Sequence, residues 1–65
     1  MGKSYSVDRY DSEGVGETLK DFATYQGALN FVRKNLAEYK HLTINRWDGN
    51  GDWEDSTDFY DGAVA

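Results

Sequence analysis

The chain has no cysteine, no proline, one histidine and one methionine among its 65 residues. The missing cysteines exclude a disulfide framework and any thiolate metal site, so the usual staples of a small secreted fold are absent and a cytoplasmic setting is expected. Without proline, repeats or a low-complexity tract, nothing marks a linker, and residues 1–65 read as a single domain. No stretch approaches the roughly eighteen apolar residues of a membrane span, and residues 1–11 alternate where a signal peptide would carry an apolar run. A chain this short buries only about 60% of the surface its unfolded form exposes, so its core must be small.

Catalytic signatures are also lacking. His41 has no cysteine to pair with and follows a helical segment, where a histidine sits well against the C-terminal carbonyls. Gly14 and Gly16 are not followed by the lysine and hydroxyl residue of a phosphate-binding loop, so they read as turn chemistry. The acids lie beside no deep cleft that would push their pKa values apart. A non-enzymatic protein with no catalytic residues and no cofactor is expected.

Base is scarce in one part of the chain. Residues 1–43 hold six bases (Lys3, Arg9, Lys20, Arg33, Lys34, Lys40) and six acids (Asp8, Asp11, Glu13, Glu17, Asp21, Glu38). Residues 44–65 hold Asp48, Asp52, Glu54, Asp55, Asp58 and Asp61 against Arg46 alone, so the whole net charge of −5 lies in the last third. That field repels nucleic acid and membranes and attracts a basic partner.

"SYSVDRY" (4–10) alternates with Tyr5 and Val7 on one face, "DSEGVG" supplies a turn, and "ETLKDFA" (17–23) offers a second strand. From Thr24, a suitable N-cap, the period changes to about 3.6, and Tyr25, Ala28, Leu29, Val32, Leu36 and Tyr39 fall in one sector about 100° wide with Phe31 on its flank. "HLTINRW" (41–47) returns to period two with Leu42 and Ile44 toward the helix. "DWEDSTDFY" (52–60) places Trp53, Asp55, Thr57 and Phe59 on one side and Glu54, Ser56, Asp58 and Tyr60 on the other. The expected fold is α+β, of ββαββ order, with an antiparallel sheet, one amphipathic helix packed on one face and the other face uncovered.

Three readings compete for the bend in "RWDGNGDWEDSTDFYDG" (46–62). Asp48, Asn50 and Asp52 match the first three ligand positions of an EF-hand calcium loop, but Trp53 stands where the glycine belongs and Phe59 where the bidentate glutamate belongs. At most weak calcium binding is expected, and no dedicated metal site. "DGNG" suits a hairpin turn with positive φ at both central positions, and a register centred near Asn50 sets Trp47 and Trp53 opposite each other. The last strand also reads as a recognition surface, because carboxylates on one face of a strand recur about every 6.6–7 Å, comparable with phosphate spacing, and basic grooves engage both alike.

The expected partner-binding residues are Trp47, Asp48, Asp52, Trp53, Glu54, Asp55, Asp58, Tyr60 and Asp61. They would dock on the basic, nucleic-acid-binding surface of another protein and inhibit it, with no direct nucleic-acid or membrane binding. In size and charge the chain is similar to the small acidic proteins that phages use against host defences, including the anti-CRISPR class. The alternative is a structural module that pairs an exposed edge strand with a partner sheet or with a second copy of itself as a homodimer.

Overall fold

A computed structural model describes residues 4–10 and 13–61. The elements run β1 (Ser4–Tyr10), β2 (Gly16–Phe22), α1 (Tyr25–Tyr39), β3 (His41–Trp47) and β4 (Trp53–Tyr60), which is the ββαββ order read from the periodicities. All neighbouring strands are antiparallel, in the order β2-β1-β3-β4. β2 and β3 therefore run parallel with β1 between them, and such a connection needs a crossover, which α1 supplies.

α1 starts where its cap dictates. Thr24 keeps an extended backbone and its hydroxyl accepts from Gly27 N at 3.1 Å, which satisfies one of the orphan donors of the first turn. The helix ends at Lys40, whose φ of +70° turns the chain sharply while its N–H donates to Leu36 O at 2.7 Å. His41 is consequently the first residue of β3 and not a helix-end cation, and the last helical turn carries no base.

The helix packs over β1 and β3, and Val7, Ala28, Val32, Leu42 and Ile44 form the buried core. Tyr25 lies at the margin of the helical stripe, 41% exposed, with its ring edge against Tyr5 at 5.8 Å. Phe31 closes the other margin against Phe22 at 5.6 Å. A bulge opposite Val7 and Asp8 leaves Leu19 as the extra residue of β2, and Leu19 packs against the core.

The β3–β4 hairpin departs from the expected turn. Among its glycines and Asn50, only Gly51 has positive φ, at +87°. Gly51 N donates to Asp48 O at 3.1 Å and Asp48 N to Asp52 O at 2.9 Å, which is a three-residue loop closed by a left-handed glycine, the next most common hairpin connection after two-residue loops. The Asp48 carboxylate stabilises it, since Oδ1 accepts from Asn50 N at 2.8 Å and from Asp52 N at 2.9 Å.

A second bulge follows at once. Arg46 pairs with Asp55 and Trp47 with Trp53, so the tryptophans do face each other and Glu54 is the extra residue. Strict alternation would put Trp53 on the side of Phe59. The bulge moves it to the opposite side, with Ser56, Asp58 and Tyr60.

Candidate functional site

The side of the sheet away from α1 forms three rows by register across β1, β3 and β4: Ser4–Trp47–Trp53, Ser6–Asn45–Ser56 and Asp8–Thr43–Asp58. Beyond them His41 pairs with Tyr60, and the Tyr10 ring lies near His41. An uncovered sheet face is ordinarily wet, yet Ser6, Asp8, Thr43 and Asn45 are buried. The long side chains at both ends of the face lie over these four polar residues.

Hydrogen bonds hold that arrangement. Trp47 Nε1 donates to Ser6 Oγ at 3.0 Å, and Trp53 Nε1 donates to Asn45 Oδ1 at 3.3 Å, so each indole is pinned to a residue of the adjoining strand. Beneath them Asp8 Oδ2 accepts from Asn45 Nδ2 and from Ser6 Oγ, the latter at 3.4 Å. Among the described residues no donor reaches the buried Asp8 Oδ1, and an unsatisfied buried acceptor costs about 1–3 kcal/mol.

At the other corner, Thr43 Oγ1 donates to Asp58 Oδ1 at 2.7 Å and His41 Nε2 lies 3.1 Å from the same oxygen. His41 stacks on Tyr60 with ring centroids 4.5 Å apart and 6° between planes. The Tyr10 ring lies 6.4 Å from His41 and rests on Gly16, where a Cβ would come within 2.5 Å of Tyr10 Cε1. The Thr43 hydroxyl oxygen also lies 3.4 Å from His41 Nε2, so the three side chains form one connected polar group.

These bonds make the Asp58 charge a stabilising element. The Thr43 hydroxyl first, then His41, hold the Asp58 carboxyl below its ordinary value of 3.8 against a smaller opposing effect of burial. A lowered carboxyl pKa contributes stability that is fully present above the unfolded value and disappears as pH falls through the folded one. Stability should therefore decline as acid is added below pH 3.8. Thr43→Val should cost roughly 1 kcal/mol near neutral pH and raise the Asp58 pKa in a carboxyl-carbon NMR titration. An unchanged titration would remove Thr43 as the cause.

The expected binding residues divide. Trp47, Trp53, Asp58 and Tyr60 share the open face, while Asp52 is exposed in the adjoining loop. Asp48 is committed to the loop backbone, and Asp61 Oδ2 pairs with Lys40 Nζ at 3.5 Å. Glu54 Oε1 lies 3.2 Å from Arg46 Nε, and Asp55 is opposite Arg46 on the helix side, where its Oδ1 accepts from Ser56 N at 2.8 Å. On the open face Asp58 is thus the one acid of β4. The residues that complete the face are Ser6, Asp8, Tyr10, His41, Thr43 and Asn45. Alternation in "SYSVDRY" and "HLTINRW" marks them as one side of each strand, but only the β1–β3 pairing unites them.

The chain matches no family model, no curated protein and no solved structure. Among the described residues no helix is long and apolar enough to cross a membrane, and no three His, Cys, Asp or Glu side chains converge as a metal site would require. Because the Asp48 carboxylate is occupied by two backbone donors, millimolar calcium should leave the melting temperature and tryptophan emission almost unchanged. A shift of several degrees at micromolar calcium would show instead that the loop is a calcium site.

On the helix side a cleft of about 340 Å³ opens between Tyr5, Tyr25, Ile44, Arg46 and β4. Its charged groups, Arg46 and Asp55, are of opposite sign, so it presents no net field to a charged partner.

Proposed function

We propose that the protein is a non-enzymatic binding module that docks the open face of its sheet on a basic surface of a partner protein. A nucleic-acid-handling protein, whose phosphate-binding groove offers such a surface, is the partner class, and occupation of the groove inhibits it. One observation carries this reading: charge is segregated by face. Among the described residues, Arg9 lies over the Tyr39 ring, Lys20 over Phe22, and Arg46 lines the helix-side cleft, while Arg33, Lys34 and Lys40 belong to α1 and its C-cap. Among the described residues the open face carries Asp8 and Asp58, with Asp21 opposite Ser6, and no lysine or arginine. Aromatic rings amid carboxylates suit an interface anchor, since tryptophan and tyrosine bury large area at small entropic cost.

Strand addition is less favoured by the same chemistry. Both sheet edges carry charged side chains, Glu17, Lys20 and Asp21 on β2 and Glu54, Asp55 and Asp58 on β4, which is how proteins discourage edge pairing. A photo-crosslinker at Ser56, on the open face, and another at Lys34, on the exposed helix surface, separate these readings. Ser56 should capture a partner that is released by salt and by competing DNA or RNA, and Lys34 should not. Capture that persists at high salt and ignores nucleic acid would reject docking on a basic groove.

A further inference from the structure

One α-helix, about 10–12 Å across, spans roughly two strands set about 4.8 Å apart, and α1 lies over the central pair β1 and β3. The helix side of the outer strand β4 is left open, and Asp55 and Thr57 are exposed there. This uncovered strip is the cleft of about 340 Å³, at the low end of the roughly 300–1,000 Å³ of small-molecule sites. Register builds it from the row Tyr5–Arg46–Asp55 across β1, β3 and β4, with Ile44 and Thr57 in the next row and Tyr25 of α1 edge-on against Tyr5. The walls are accessible, since the Arg46 side chain is 43% exposed and Tyr25 is 41% exposed.

The two charges in that row oppose each other without joining. Arg46 and Asp55 are register partners, yet Arg46 Nε lies 3.2 Å from Glu54 Oε1, and among the described residues Asp55 has no cation partner. Asp55 Oδ1 accepts from Ser56 N at 2.8 Å, and Arg46 Nε, although near Glu54, makes no hydrogen bond among the described residues. The Glu54 contact thus places the guanidinium without taking a hydrogen bond from Nε.

We infer that this cleft binds a free α-amino acid with a large apolar side chain. Its carboxylate sits on the Arg46 guanidinium, its ammonium on Asp55 and its side chain against Tyr5, Tyr25 and Ile44. The site lies on the opposite side of the sheet from the docking face and does not depend on that reading. Simpler ligands fit less well. A lone carboxylate gains the planar fork of Arg46 but meets the repulsion of Asp55, and a lone amine gains Asp55 but meets Arg46. The two charges of an α-amino acid are joined through one carbon, and opposed residues on neighbouring strands have Cβ atoms about 5 Å apart, so both charges are met at once. The tyrosines and Ile44 leave the remaining wall largely apolar, which favours a side chain like that of phenylalanine over a hydrophilic one.

The test uses the full chain, labelled with ¹⁵N and titrated with phenylalanine, phenethylamine, 3-phenylpropionate and glycine. Phenylalanine should bind about tenfold tighter than either singly charged analogue, because each analogue loses one charge-assisted contact. Glycine, which lacks the apolar group, should be weaker again. The largest amide shifts should fall at Tyr5, Arg46, Asp55 and Thr57. Asp55→Asn, at an exposed position that keeps an acceptor for Ser56 N, should lower phenylalanine affinity about tenfold without weakening 3-phenylpropionate. Thr57→Trp fills the cleft from another exposed position and should abolish binding of phenylalanine while the melting temperature holds. Any of the other probes binding as tightly as phenylalanine overturns the inference. So do shifts confined to the open face, no shift up to the solubility limit of phenylalanine, or undiminished binding to folded Thr57→Trp.

Discussion

Val32→Asp abolishes cooperative folding. Val32 is 1% exposed and sits at the centre of the buried cluster with Val7, Ala28, Leu42 and Ile44. Aspartate there removes apolar volume and introduces a charge with no partner, a combined loss at the exceptional end of single substitutions, about 4–5 kcal/mol. Natural domains hold about 0.05–0.15 kcal/mol per residue, so a chain of 65 residues has roughly 3–10 kcal/mol in total. The substitution thus removes most or all of the margin. Far-UV circular dichroism and amide dispersion should both collapse, while Arg33→Ala and Lys34→Ala, on the exposed helix surface, should change stability by less than about 0.5 kcal/mol. A dispersed Val32→Asp spectrum combined with lost partner binding would make the helix the docking face.

The second large effect is on binding. Asp52→Lys combined with Asp58→Lys should weaken partner affinity by about 3 kcal/mol, roughly a hundredfold, and flatten its dependence on salt. Two reversed charges place like against like on a basic surface, and the salt-screened attraction that guided docking is lost. Folding should survive. Asp52 is exposed, and losing the Thr43 bond to Asp58 costs about 1 kcal/mol, partly offset by relief of repulsion within an acidic segment. Titration calorimetry at two salt concentrations, beside a thermal melt, checks both halves. Trp53→Ala should instead cost affinity without changing the salt dependence, because it removes an apolar anchor. A folded double variant that binds normally would reject electrostatic docking and return edge pairing to first place.

Local signals carried far in this chain. The alternations at 4–10 and 41–47 coincide with β1 and β3, and Thr24 caps the helix that its stripe announces. The Trp47–Trp53 pairing was legible too, since a turn between two strands fixes its own register. What alternation could not convey was the bulge at Glu54. One extra residue reverses which side Trp53 occupies, and it leaves Glu54 beside Arg46, so an even row of carboxylates along β4 does not form. The turn residues were recognised, but the choice of Gly51 as the single left-handed position depends on the Asp48 side chain capturing two loop amides. Asp8 shows the deeper limit. In the sequence it is one acid among balanced charges, and its burial follows from Asn45 and Trp47, more than thirty residues away, which only tertiary pairing brings near.

That separation bears on when the face comes into existence. The bond from Asn45 to Asp8 closes 37 residues of chain, and the one from Trp47 to Ser6 closes 41. Contacts of such sequence distance are formed against the full entropy of loop closure, so they follow the local helix and hairpins in time. No fragment containing only the acidic hairpin possesses the face, because Ser4, Ser6, Asp8 and Tyr10 belong to β1. Recognition is therefore coupled to the integrity of the whole domain: a bound partner raises the free energy of global unfolding by mass action, and slows hydrogen exchange in β1 as much as in β4.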